Sequence, residues 1–378
     1  MRLIVAIIVL LIASGLVIAR LDRLDQAAEI RAEVENISVE EETSEFARAY
    51  EIKPMVFPDD LGQHPDYQAE WWYYTGNLAD AGGNRFGFQL TFFRRGLTPG
   101  LVERPSEWAS NQIYFAHFTV TDVTGDSFTF HERFSRGRPG LAGAQSKPYH
   151  VWLDDWYAQE IGPGQVELRA EAGDIGLQLV LTQAKPAARQ GDRGLSQKSD
   201  EPGNASYYYS LTNNPARGTI TTPRGAFAVS GNAWKDHEWS TSGLGPEAVG
   251  WDWYSLQLED GREIMYFNIR QEDGSVEAVS GGALIEPDGR TRALPQEAVE
   301  ITILDTWQSP DSGAVYPAEW TFAIPSEGID LHLEPLLPQQ ELRVSFTYWE
   351  GAVQIEGTQR GYGYIELTGY YASMQGRL

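Results

Sequence analysis

RFGFQLTFF, residues 85–93, decides the fold. Phe86, Phe88, Leu90 and Phe92 fall on alternate positions, with Gly87, Gln89 and Thr91 between them. Alternation of period two marks a strand with one buried face, because successive side chains of an extended backbone point to opposite sides. DIGLQLVLTQ (residues 174–183) sets Ile175, Leu177, Leu179 and Leu181 the same way, and REIMYFNIR (262–270) and VEITILDTW (299–307) follow suit. Turn chemistry interrupts these runs often: ADAGGN at 79–84, TGD at 124–126, EDG at 259–261 and 272–274, EPDGR at 286–290. Each supplies residues that tolerate the positive φ of a tight hairpin. No long amphipathic helix is visible beyond residue 60. The expectation is an all-β protein of many short antiparallel strands, closed into barrels or sandwiches. Its 12 Trp, 18 Tyr and 15 Phe suit pleated, half-buried surfaces.

The 378 residues leave room for two domains. Residues 3–19 form an unbroken small and apolar run behind a single Arg2. It reads as a signal peptide or as a transmembrane anchor, a hydrophobic helix in either case. Val17 and Ala19 suit a cleavage site, and the length is near the lower limit of about 17 residues for a span. Both readings place the bulk of the chain outside the cytoplasmic membrane, either periplasmic or anchored to the inner membrane. Residues 20–56 are a charged spacer. The loop STSGLGPEAVG (240–250) separates an N-terminal domain, 57–239, from a C-terminal domain, 240–378. A second stretch of loop composition, residues 184–206, lies inside the first domain.

A net charge of −24 argues against nucleic acid, whose phosphates require a basic face. With no cysteine there are no disulfides, no thiol nucleophile and no Cys-based zinc site. No nucleophile elbow, phosphate loop or dinucleotide fingerprint occurs.

Three stretches concentrate ionisable groups among aromatics. In HPDYQAEWWYYTGNL (64–78) a strand puts Glu70, Trp72 and Tyr74 on one face. Glu70 is then either a ligand-lining acid or the partner of Arg94 or Arg95 at a barrel mouth. In NQIYFAHFTVTD (111–122) His117 shares a face with Phe115, Thr119 and Thr121. It is either a ligand contact or a satisfied polar group. In GNAWKDHEWS (231–240) Asp236 and Glu238 point with Trp234, while His237 and Trp239 alternate with Lys235. Only a bulge or a turn would converge all three ionisable groups. No second histidine stands at ligand spacing from His237, and no third ligand is evident, so no metal is expected. His64, His131, His150 and His332 sit in turn-like or edge-like text. In GWDWYSLQL (250–258) Asp252 lies between Trp251 and Trp253. A carboxyl walled by indoles resists ionisation and serves as an acid, and indole faces shelter a cation.

Taken together, FPDDLGQHPDYQAEWWYYTGNL (57–78), FGFQLTFFR (86–94), FAHFTVTD (115–122), GNAWKDHEWS and GYGYIELTGY (361–370) resemble the AttH-like and carotenoid 1,2-hydratase (hydroxyneurosporene synthase) superfamily, in particular its secreted branch. The resemblance runs from about Phe57 to Tyr370. It implies two tandem lipocalin-like β-barrel domains and a pocket near their junction for a hydrophobic, isoprenoid or lipid-like small molecule. It also implies cofactor-independent addition of water to a double bond, or a related hydrolysis. On this likeness Asp252 is the proton donor and His237 orients it or positions water. Trp239, Trp251 and Trp253 wall the cation, and Glu70, Trp72 and His117 line the ligand. The alternative is a non-catalytic carrier or sensor of a lipophilic ligand, with Asp252 in a junction salt bridge. The membrane is a partner only if the N-terminal segment is uncleaved.

Overall fold

A computed structural model of the chain describes residues 45–101, 110–137, 140–241 and 243–376. The N-terminal apolar run and the first part of the charged spacer lie outside these residues. Among the described residues, helical structure is limited to short 3₁₀ turns such as Asp59–Leu61, and the strands form two curled antiparallel sheets, one barrel-like and one a half-barrel.

The first sheet holds β1 (Ala69–Asp80), β2 (Arg85–Gly96), β3 (Gln112–Asp122), β4 (Ser127–Arg136), β5 (Ala142–Ser146), β6 (Tyr149–Leu153), β7 (Trp156–Gly162), β8 (Gln165–Ala172), β9 (Ile175–Thr182), β10 (Ala188–Arg189), β11 (Leu195–Gln197), β12 (Ala205–Thr222) and β13 (Gly225–Ser240). Its order is β4-β3-β2-β1-β13-β12-β9-β8-β7-β6-β5. The β5–β7 end curls back over the face of β1–β3. There the Tyr74 and Tyr149 hydroxyls meet at 2.6 Å, and Phe118 packs edge-on against Trp156. The alternating residues of residues 85–93 and 174–183 supply the core inside this curl: Phe86, Phe88, Leu90 and Phe92 against Leu177, Leu179 and Leu181. Residues 184–206 are not a bare loop. They carry β10 and β11, which pair with β12, and Lys185 reaches across to Glu263 at 2.6 Å.

The second sheet holds β14 (Ala248–Leu258), β15 (Glu263–Gln271), β16 (Gly281–Ile285), β17 (Thr291–Pro295), β18 (Glu300–Gln308), β19 (Val315–Ile324), β20 (Ile329–Pro335), β21 (Glu341–Arg343), β22 (Thr347–Gly357) and β23 (Gly361–Leu367). Its order is β17-β16-β15-β14-β23-β22-β20-β19-β18. Tyr254, Leu256, Trp320, Phe322 and Ile365 fill its concave side.

The convex faces of the two sheets pack against one another. Tyr73, Tyr208 and Trp234 of the first sheet meet Trp253, Met265, Phe267 and Tyr364 of the second. Hydrogen bonds cross the same layer, from Asn77 Nδ2 to Gly363 O (2.9 Å) and from Gln89 Nε2 to Tyr348 Oη (3.1 Å). The central strands β1 and β13 are therefore buried on both sides, and every residue from Ala233 to Ser240 is buried. This explains why their sequences lose the polar half of the alternation and become runs of aromatic and charged residues.

Gly87 sets how closely the sheets approach. A Cβ built there would stand 2.7 Å from Ala352 Cβ and 3.3 Å from Thr121 Cβ. The substitution Gly87→Ala should therefore destabilise the protein by about 1–3 kcal/mol through overpacking. A urea titration followed by tryptophan fluorescence reads this as a lowered midpoint; an unchanged midpoint would show that the layer yields freely.

Candidate functional site

Strand β13 runs between β1 and β12 without a bulge of its own at residues 233–240, so the groups of residues 231–240 divide by parity. Register places His237 opposite Trp72 on β1 and Tyr209 on β12, and Lys235 opposite Tyr74. Lys235, His237 and Trp239 point into the first barrel. Trp234, Asp236 and Glu238 point toward the second sheet. The three ionisable groups do not converge, and each side builds its own constellation.

On the inner side the centre is Glu70, whose side chain is fully buried. Its carboxylate accepts from Arg94 Nε at 2.8 Å, His64 Nδ1 at 2.7 Å, His237 Nε2 at 2.9 Å and the His64 backbone N–H at 2.9 Å. Burial alone would raise its pKa, but the charges of Arg94 and His64 and the bond from His237 hold it well below the carboxylate range. Arg94 donates through Nη2 to the carbonyls of His64 and Tyr67 (2.9 and 2.7 Å) and through Nη1 to Gln112 Oε1 (3.2 Å). The His64 ring stacks on Trp239 with centroids 3.7 Å apart, and its Nε2 lies 3.2 Å from Asp60. Desolvation pulls His64 down, but Glu70 and Asp60 outweigh it and bring its pKa up to about 9. His237 goes the other way. Burial lowers it to about 4 against the partial support of Glu70, so it is neutral at pH 7. Because ionised Glu70 only accepts, the proton of His237 sits on Nε2, and Nδ1 receives the Tyr209 hydroxyl at 3.1 Å. Lys235 lies deeper, 4.3 Å from the centre of the Tyr149 ring. Burial lowers its pKa to about 7.

On the outer side Glu238 pairs with Lys198 at 2.7 Å, while Asp236, Glu350 and Glu366 have no ion-pair partner among the described residues. Asp236 accepts from Tyr208 Oη (2.6 Å), Ser210 Oγ (2.5 Å) and Trp234 Nε1 (2.7 Å), and burial raises it to about 7. Tyr208 in turn accepts from Trp253 Nε1 at 3.1 Å. Further along the layer Glu350 and Glu366 face each other directly across β22 and β23. Tyr73 donates to Glu350 and Trp251 to Glu366, each at 2.5 Å. Burial first, and then the charge of Glu366, push the fully buried Glu350 carboxyl well above its usual range, and burial raises Glu366 as well. Glu366 and Trp251 are only half-buried, so the pair reaches the rim of the layer.

The residues singled out in the sequence thus fall in three places. Glu70, Trp72, His237 and Trp239 come together in the inner cluster, with Glu70 paired to Arg94. His117, Trp251 and Trp253 lie between the sheets, where His117 bridges Tyr348 Oη (2.8 Å) and Glu132 (2.9 Å). Asp252 belongs to neither group. It sits on the concave face of the second sheet, bonded to Arg270 Nε at 2.9 Å and to Tyr370 Oη at 3.1 Å. Its expected pairing with His237 is absent, and Trp251 and Trp253 do not wall it, since both flank it in sequence and so point to the opposite face. The indoles serve Glu366 and Tyr208 instead. A carboxylate held by a guanidinium is also a poor proton donor. His64, Asp60, Tyr209 and the Glu350–Glu366 pair were missed. His64 is drawn in from the segment before β1, and only YWEG (348–351) and YIEL (364–367), two acids beside aromatics on neighbouring strands, carried a readable signal.

The inner cluster has a pH signature. The folded pKa of His64, about 9, lies above its ordinary 6.5. Its contribution to stability is therefore complete below about pH 6.5 and lost as pH rises toward 9. The variant His64→Gln should be less stable than the parent at pH 6, with the gap closing by pH 9.5, as read by urea denaturation. A gap that widens with pH would mean that His64 is neutral in the fold.

Comparison with known proteins follows the same architecture. The AttH-like family model matches residues 48–370. A crystal structure described as an AttH protein from Nitrosomonas europaea superposes with a TM-score of 0.79 at 35% identity, covering 86% of this chain and 100% of that one. Kievitone hydratase from Nectria haematococca superposes with a TM-score of 0.64 at 14% identity, covering 88% of this chain and 97% of that one, which is a likeness of fold. No curated protein sequence matches the chain. From the family match and the 35% identical structure, the chain belongs to the AttH-like family.

Proposed function

We propose that the protein is a cofactor-independent hydro-lyase that adds water to a carbon–carbon double bond of an apolar, isoprenoid or lipid-like substrate, and that the Glu350–Glu366 pair is its acid–base device. The apolar run at residues 3–19 suggests that it works outside the cytoplasmic membrane. The observation that carries the reading is the pair itself: two directly opposed carboxyls, both raised by burial, beneath half-buried indoles and with no ion-pair partner among the described residues. Kievitone hydratase shares the fold, which is consistent with it.

The chemistry needs three things of this site. An acid must be protonated near pH 7, and burial supplies that. A cation must be sheltered, and Trp251 and Trp71 lie at the rim of the same layer. A base must take a proton from water. As the alkene π electrons bond the proton leaving the pair, both carboxyls become anionic beside the new carbocation. Water then attacks the cation, and its spare proton returns to the pair. The net change is alkene plus water to alcohol, with the pair restored. Thr75 Oγ1 and Gln89 Oε1 on neighbouring strands of the first sheet are also buried without a hydrogen-bond partner.

The test supplies a linear isoprenoid polyene in mild detergent and ¹⁸O-labelled water, and follows label in the alcohol by mass spectrometry. The parent should incorporate one ¹⁸O, and Glu366→Gln should slow turnover by roughly 10²–10⁴-fold, the range for general acid–base catalysis. Turnover preserved in Glu366→Gln would remove the assignment. Binding of the polyene with no alcohol in the parent would make the protein a carrier instead.

A further inference from the structure

We propose that His64, Glu70 and His237 form a binding site for one divalent transition-metal ion, with zinc as the best fit. This site is separate from the carboxyl pair, and its fate does not depend on the reading above. His64 Nδ1, Glu70 Oε1 and His237 Nε2 all lie within 4.8 Å of one another. Two imidazoles and one carboxylate with a fourth position open is the ligand set of a zinc site that keeps a water. Tetrahedral bonds of about 2.1 Å put ligand atoms roughly 3.4 Å apart, so each imidazole would withdraw from Glu70 by less than about 1 Å. The ion would replace the two imidazole protons that now bridge to Glu70.

What points to an ion, beyond the cluster of donors, is the far side of each ligand. Metal-bound imidazoles donate their other N–H to a carboxylate or a backbone carbonyl. Both are placed to do so here. His64 Nε2 faces the Asp60 carboxylate at 3.2 Å, and His237 Nδ1 faces the Asp60 backbone carbonyl at 3.1 Å. Without a metal, Nε2 is protonated toward Glu70 and the Nδ1 lone pair accepts from the Tyr209 hydroxyl, so the contact with the Asp60 carbonyl carries no hydrogen bond. With a metal on Nε2 the proton moves to Nδ1 and donates to that carbonyl. Asp60 would then serve both histidines, one through its side chain and one through its main chain. Glu70 keeps Oε2 for Arg94 and the His64 N–H, leaving Oε1 to the ion. His64 is the entry point, since its side chain is 17% exposed while those of Glu70 and His237 are sealed. The softness of two nitrogen donors favours zinc, cobalt or nickel over magnesium or calcium.

The experiment uses the full chain, stripped with chelator and returned to metal-free buffer. Zn²⁺ is titrated calorimetrically and Co²⁺ by its visible d–d absorption. One equivalent should bind, with the spectrum of a four- or five-coordinate ion. His64→Gln and His237→Gln should each lower affinity at least tenfold, Asp60→Asn should lower it by about 10–100-fold as an outer-shell change does, and the surface substitution His332→Gln should leave it unchanged. Where a variant fails to fold, ¹⁵N imidazole resonances of the parent decide: Zn²⁺ must shift His64 Nδ1 and His237 Nε2. Absence of one-equivalent binding, affinity unchanged in folded His64→Gln, or imidazole signals that do not move would each overturn the site.

Discussion

The buried carboxylate of Glu70 is the constraint around which the first sheet is arranged. An isolated charge inside a barrel costs several kcal/mol, and only a complete shell of donors offsets it. That shell of four donors comes from three separate pieces of chain: Arg94 on β2, His237 on β13, and both the ring and the backbone N–H of His64 ahead of β1. Supplying the shell draws the segment before β1 against the barrel mouth. Trp239 gains a stacking partner in His64, and the Trp72 indole bonds the Leu61 carbonyl at 3.1 Å. Removing one donor from such a buried pair costs about 3–5 kcal/mol. One acid therefore secures two strands, a tautomer and the entry of the chain.

The two sides of the same strand layer treat carboxyls in opposite ways. Glu70 has a guanidinium and an imidazolium within hydrogen-bond reach and stays ionised. Asp236 and Glu350 are also buried, and Glu366 is half-buried, but their hydrogen-bond donors are only hydroxyls and indoles. Desolvation then wins, and all three are shifted upward. Residue type does not decide which carboxyl stores a proton. The presence or absence of a fixed cation does. Asp252 is the instructive middle case: burial raises it, yet Arg270 opposes that shift and occupies the carboxylate.

The fold was legible because period-two alternation and turn chemistry are local signals. Residues 85–93, 174–183 and 262–270 are strands for the reason their spacing gives, and parity correctly separated His237 from Asp236 and Glu238. What parity could not reveal is which strands lie opposite. Arg94 is found beside Glu70 because β1 and β2 are a hairpin, and that pairing was open to a reader of the sequence. His64 was not, because its place depends on a nonlocal turn packing under Trp239. Asp252 failed for a different reason. Its flanking tryptophans looked like walls in one dimension, whereas in a strand the residues on either side of an acid are the two that cannot touch its side chain's surroundings.

Residues adjacent in sequence therefore belong to opposed sites, and register is what keeps them apart. Tyr208 and Asp236 face the second sheet, while Tyr209 and His237 face Glu70. A slip of one residue in β13 would drive Asp236 toward Glu70, two carboxylates in one buried shell, and would leave His237 among the acids between the sheets. Such a slip is penalised on both faces at once, which is a stronger specification than a sheet with one solvated face provides. The shift between Leu211 and Asn214 in β12 falls just beyond this region, after the paired stretch from Ser206 to Leu211 and before the pairing resumes at Asn214. It absorbs one extra residue of β12 opposite Trp234. The long strands stay in register through Trp239, and the charged cluster and the acid layer remain on their own sides of a single sheet.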